Sequence, residues 1–61
     1  MEEKYKILIV DDEQSILDML KLQLEFEGYS VYIANNAKEA LDKLSYLPDI
    51  ILLDINMAGM N

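Results

Sequence analysis

Two stretches of the chain are apolar at every position, Ile7-Leu8-Ile9-Val10 and Ile50-Ile51-Leu52-Leu53. Strands covered on both faces carry this unbroken pattern, so Lys6 to Val10 and Asp49 to Leu53 are predicted strands of a sheet with helices on each side. Between them the period changes. Ile16, Leu17, Leu20 and Leu24 recur at helical spacing, and Met19, Leu22 and Phe26 widen that stripe. Gly28 follows the last periodic residue and stops the helix, because glycine enters the left-handed backbone region freely. Tyr29 to Ala34 is a β-favouring run built on Val31, Tyr32 and Ile33, and Asn35-Asn36 punctuates it as a turn. Asn36 is placed to cap a second helix, with Glu39 three residues on reaching back. Ala37, Ala40, Leu41 and Leu44 line one face of that helix, and Pro48 ends it. The order is β-α-β-α-β. Helical crossovers of this length make the strands parallel and the crossovers right-handed, which defines an α/β, doubly wound sheet. After Asp54 the sequence reads as a loop, and with no linker, repeat or second domain, residues 1–61 form a single unit.

The chemistry sits where the apolar stretches end. The first runs straight into Asp11-Asp12-Glu13 and the second into Asp54. If the two are neighbouring parallel strands, Asp11, Asp12 and Asp54 converge at the carboxyl edge of the sheet, where open α/β folds bind ligands. Carboxylates that close raise one another's pKa unless a cation or proton intervenes, so the arrangement predicts a hard divalent metal. Simpler roles exist for each residue alone. Acidic residues opening a helix complement its dipole and cap free amides, for about 0.3–1 kcal/mol per charge. A lone aspartate after a strand serves a turn equally well.

Composition narrows the field further. The chain has no cysteine, histidine or tryptophan, which removes disulfide frameworks, thiol nucleophiles, zinc sites and a Ser-His-Asp triad. Five basic against twelve acidic residues give a net charge of −7, which argues against a nucleic-acid surface. No stretch has the length of a membrane span, and the N-terminus lacks the order of a signal peptide, so a cytoplasmic chain with no membrane partner is expected. At 61 residues the core is marginal.

Ile-Leu-Ile-Val-Asp-Asp-Glu, Gly-Tyr-Ser-Val, Ala-Asn-Asn-Ala-Lys-Glu-Ala-Leu and Pro-Asp-Ile-Ile-Leu-Leu-Asp-Ile-Asn-Met-Ala-Gly-Met together resemble the receiver domain of two-component response regulators. The resemblance covers the whole chain but only the first half of the family's five-stranded, flavodoxin-like sheet, and it implies strand order 2-1-3. It implies a phosphorelay receiver, not an enzyme, in which Asp54 is the phosphoacceptor for a histidine kinase or phosphotransfer protein. Asp12 matches the family's direct Mg2+ ligand and Asp11 its partner through a metal-bound water, while the backbone carbonyl of Asn56 supplies another oxygen. Magnesium suits such oxygen donors.

Two substitutions depart from the family pattern. Ala58 stands where proline is expected, which loosens the loop after the phosphoacceptor, and Ala37 replaces a glycine at no expected cost. The hydroxyl residue and the lysine that the family places after later strands lie beyond these 61 residues, so the chain is expected to act as a truncated receiver, impaired in phosphotransfer and switching. Lys4 and Lys6 lie at the wrong end of the sheet to substitute. With order 2-1-3, the strand Asp49 to Leu53 is an unprotected apolar edge, and a homodimer pairing along it would give a six-stranded sheet. A different class of function is then a non-catalytic, self-associating or protein-interaction module. A third possibility is that the chain is a cut piece of a longer regulator.

Overall fold

The computed structural model describes residues 4–53. Three strands, β1 (Lys6–Val10), β2 (Ser30–Ala34) and β3 (Ile50–Leu53), alternate with α1 (Gln14–Phe26) and α2 (Ala37–Lys43). The sheet is parallel in the order β2-β1-β3, as the sequence implies. The register sets Ile7 and Val10 of β1 opposite Val31 and Ala34 on one side, and opposite Ile50 and Leu53 on the other.

Because β1 is central and its side chains alternate between faces, it builds two half-cores. Ile7 and Ile9 meet Leu17 and Val31 on one face, flanked by Leu20, Leu24, Tyr29 and Ile33. Leu8 and Val10 meet Ala34 on the other, with Tyr32 and Ala40 beside them. Leu8 and Leu17 are fully buried. The wider α1 stripe expected from sequence does not reach the core: Met19, Leu22 and Phe26 are exposed, Phe26 to 90%. Leu17, Leu20 and Leu24 already fill the arc that one helix can turn toward one sheet, and residues beyond it face outward.

Both helices end for local reasons. Gly28 takes φ 103 and its amide donates to the Glu25 carbonyl, closing α1. Asn36 caps α2 by accepting from the Glu39 amide at 2.8 Å. Glu39 reaches back as expected, although its carboxylate accepts from the amide of Asn35 at 3.0 Å, one residue earlier than the standard capping box. The second helix stops sooner than Pro48 alone suggests. It passes into a 3-10 turn at Leu44–Tyr46, and Leu47, barred from helical angles by the following proline, turns left-handed at φ 57. Tyr46 then stacks on Tyr32 with ring centroids 4.7 Å apart, and Lys43 donates to the Ile33 carbonyl, so the end of α2 is tied to β2.

Candidate functional site

The carboxyl ends of the parallel strands share one rim. Asp11 follows Val10 there and is 8% exposed. Its amide donates to the Ala34 carbonyl at 3.1 Å, extending the β1–β2 ladder by one residue. Its Oδ1 accepts from the Glu13 amide at 2.9 Å, a short side-chain loop that turns the chain out of the strand and into α1. Backbone and side chain together therefore fix the Asp11 carboxylate at the rim. Asp12 is adjacent and exposed.

This geometry separates the two roles open to the acidic turn. Glu13 is the N-cap of α1 yet forms no side-chain cap, and the first turn of α1 holds no acidic residue. Asp11 satisfies an amide, but one that precedes the helix. A side-chain cap on α1 thus accounts for neither Asp11 nor Glu13.

Asp54 and Asn56, the other two oxygen donors expected from sequence, lie outside the described residues, as does Ala58. Among the described residues no three acidic, histidine or cysteine side chains cluster tightly enough to hold a metal. What the described part of the rim offers is two consecutive carboxylates, one of them oriented by main-chain contacts. Oxygen donors are hard ligands, and the chain has no histidine or cysteine to offer imidazole or thiolate, so the carboxylate pair fits Mg2+ rather than zinc.

At the opposite end of the sheet lies a feature that sequence reasoning missed. The Lys6 amide donates to Oδ2 of Asp49 at 2.8 Å, and the Asp49 amide donates to the Lys6 carbonyl at 2.8 Å. Lys6 Nζ donates to the Tyr46 carbonyl at 3.2 Å, which confirms that this lysine serves the amino-terminal end and not the acidic rim. The only sequence signal was an aspartate directly after Pro48 and before the strand.

An open, almost wholly apolar groove of about 270 Å³ runs between α2 and β3, lined by Val10, Ala40, Leu41, Leu44, Ile51 and Leu53 among others. No helix among the described residues is long and apolar enough to cross a membrane.

Comparison with known proteins agrees with this geometry. The sequence profile of the response regulator receiver domain matches residues 7–61. Response regulator SaeR of Staphylococcus aureus strain USA300 is 47% identical over 55 residues, covering 90% of this chain and 24% of the relative. The SaeR proteins of strains NCTC 8325 and bovine RF122 match at the same identity and coverage. The chain thus spans about a quarter of the length of these relatives. A parallel 2-1-3 sheet with a carboxylate pair at its carboxyl rim, matched by the family profile over nearly its whole length, makes this chain a member of the response regulator receiver domain family of two-component systems.

Proposed function

We propose that Asp11, Asp12 and Asp54, with the backbone carbonyl of Asn56, form a Mg2+-dependent phosphoacceptor site in which Asp54 is the nucleophile. The observation that carries this reading is the β1–β3 register: Val10 stands opposite Leu53, and the next residues in sequence are Asp11 and Asp54. A carboxylate oxygen of Asp54 attacks the phosphorus of a phosphohistidine on a histidine kinase or phosphotransfer protein. The new P–O bond forms as the P–N bond breaks, and the departing imidazole takes a proton. Asp12 would hold the metal directly and Asp11 through a bound water, the roles that the family resemblance implies. Bound there, Mg2+ supplies the positive charge that lets three carboxylates face an anionic donor. The setting is the cytoplasm, and the chain is a receiver that is modified rather than a catalyst of turnover.

Incubation with Mg2+ and acetyl phosphate, followed by intact-mass measurement, tests the reading. The expected result is a mass gain of one phosphoryl group, dependent on Mg2+ and lost in Asp54→Ala. Labelling of the 61-residue chain by itself is expected to be slow, because the hydroxyl and lysine that the family resemblance assigns to phosphoryl contacts are not among these residues. Labelling retained in Asp54→Ala would contradict the assignment.

A second reading has its own support. β3 is an edge strand, all four of its residues are between 44% and 49% exposed, and the apolar groove adjoins it. A second copy pairing antiparallel along Asp49 to Leu53 would satisfy that edge and make a six-stranded homodimer. Under this reading the chain acts by self-association, and sedimentation at micromolar concentration decides it: a dimer supports the module, whereas a folded monomer removes it.

A further inference from the structure

We propose that Asp49 is a positioning residue: its clamp on Lys6 sets the register of β3 against β1, and with it the point at which the chain leaves Leu53, one residue before Asp54 in sequence. The proposal rests on the phosphoacceptor reading above for its functional half, and on the described residues alone for its structural half.

The need for such a device follows from the strand itself. Register is normally specified by alternation, because a slip of one residue turns a strand's buried side chains outward. β3 lacks that safeguard. Ile50, Ile51, Leu52 and Leu53 are all large and aliphatic, and all four are close to half-exposed, so a slipped strand would present the same kind of surface to both faces. Its ladder to β1 uses backbone groups, which face β1 at every second residue; a one-residue slip re-forms the ladder once the strand turns over, and in an all-aliphatic strand that turn exchanges like for like. Something outside the apolar run must do so.

The clamp has the required properties. It joins the residue just before β3 to the first residue of β1 by two hydrogen bonds of 2.8 Å, and one of these uses a side chain. The residues on either side, Pro48 and Ile50, carry no carboxylate, so a slipped β3 brings none of its own to the Lys6 amide. The preceding residues are held as well, since Lys6 Nζ reaches the Tyr46 carbonyl and the Tyr46 ring stacks on Tyr32. A slip by one residue in either direction takes the Asp49 carboxylate away from the Lys6 amide.

At the far end of the strand the consequence is chemical. One residue of slip displaces the strand by about 3.3 Å along its axis. Magnesium demands near-octahedral oxygen ligands at about 2.0–2.1 Å, so a displacement of that size removes a donor from its sphere. A hydrogen bond at the amino edge is thereby coupled to coordination at the carboxyl edge, through four residues of stiff ladder.

The test compares wild type with Asp49→Ala, Asp49→Asn and Asp49→Glu, using NMR contacts between Val10 and Leu53 for register and Mg2+ titration for the site. Asp49→Ala is expected to lose the Val10–Leu53 contact or replace it with that of a shifted register, and to bind Mg2+ at least tenfold more weakly within its folded population. Asp49→Asn keeps an acceptor oxygen at the same reach and is expected to restore both. If Asp49→Ala does not fold, Asp49→Glu is read in the same way, its longer arm shifting the contact and weakening Mg2+. Wild-type register and Mg2+ affinity in a folded Asp49→Ala or Asp49→Glu would overturn the proposal. Should wild type itself bind no Mg2+, the phosphoacceptor reading fails, and the Val10–Leu53 contacts still decide the clamp.

Discussion

β1 and β3 are written in the same aliphatic alphabet and lie side by side, yet they live in different environments. In β1, Ile7 to Val10 are at most 4% exposed; in β3, Ile50 to Leu53 are exposed by 44% or more. The difference lies in the neighbours. β1 has a strand on each edge, α1 packs over one face with Leu17, and α2 approaches the other with Ala40. Among the described residues β3 has one strand partner, and they leave the groove beside α2 open. An apolar run therefore states that a strand is suited to burial, while topology decides whether burial is delivered. The proposed site draws on both environments: Asp11 and Asp12 follow the buried strand in sequence, and Asp54 follows the exposed one.

The largest expected effect contrasts the two strands directly. Leu8 is fully buried, so Leu8→Ala is expected to cost about 3–5 kcal/mol and to unfold so small a domain. Leu52, 44% exposed, is expected to cost about 1 kcal/mol on the same change. Urea unfolding followed by circular dichroism measures both, and equal losses would break the contrast.

Next comes the turn that delivers β2 to the other edge of β1. A Cβ at Gly28 would meet nothing within 4 Å, so the cost of Gly28→Ala is purely that of φ 103. About 1–2 kcal/mol of destabilisation is expected in the same unfolding measurement. Asn36→Ala is smaller again. It removes the cap that starts α2, the helix over one face of β1, and is expected to lower stability by about 1 kcal/mol. The least effect on stability belongs to the exposed edge. Leu52→Lys keeps an aliphatic stem over the sheet and is expected to cost under about 1 kcal/mol. The same change places a charge on the edge, so sedimentation should show weakened self-association if copies pair through β3.

Much of this was legible because the signals were local. The helical period of Leu17, Leu20 and Leu24, the stop at Gly28 and the Asn36–Glu39 pair each act within a few residues, and each is present where the sequence puts it. Met19, Leu22 and Phe26 misled, since periodicity shows which residues share a face but not how wide an arc the sheet can cover. The left-handed Leu47 was invisible because a proline forbids helix in the preceding residue without saying which alternative that residue takes. At the site, the acidic pair was legible from its place at the end of β1. The Asp49–Lys6 clamp was not, because residues 43 apart in sequence leave no periodic trace.

Whether the rim is one coordination site is tested most directly by Mg2+ titration of the isotopically labelled chain, followed through its backbone amide resonances. The account predicts saturable shifts centred on Asp11, Asp12 and Leu53, abolished by Asp12→Ala and strongly weakened by Asp54→Ala. Shifts spread evenly over the acidic surface, or a response at Asp11 and Asp12 indifferent to Asp54→Ala, would contradict it.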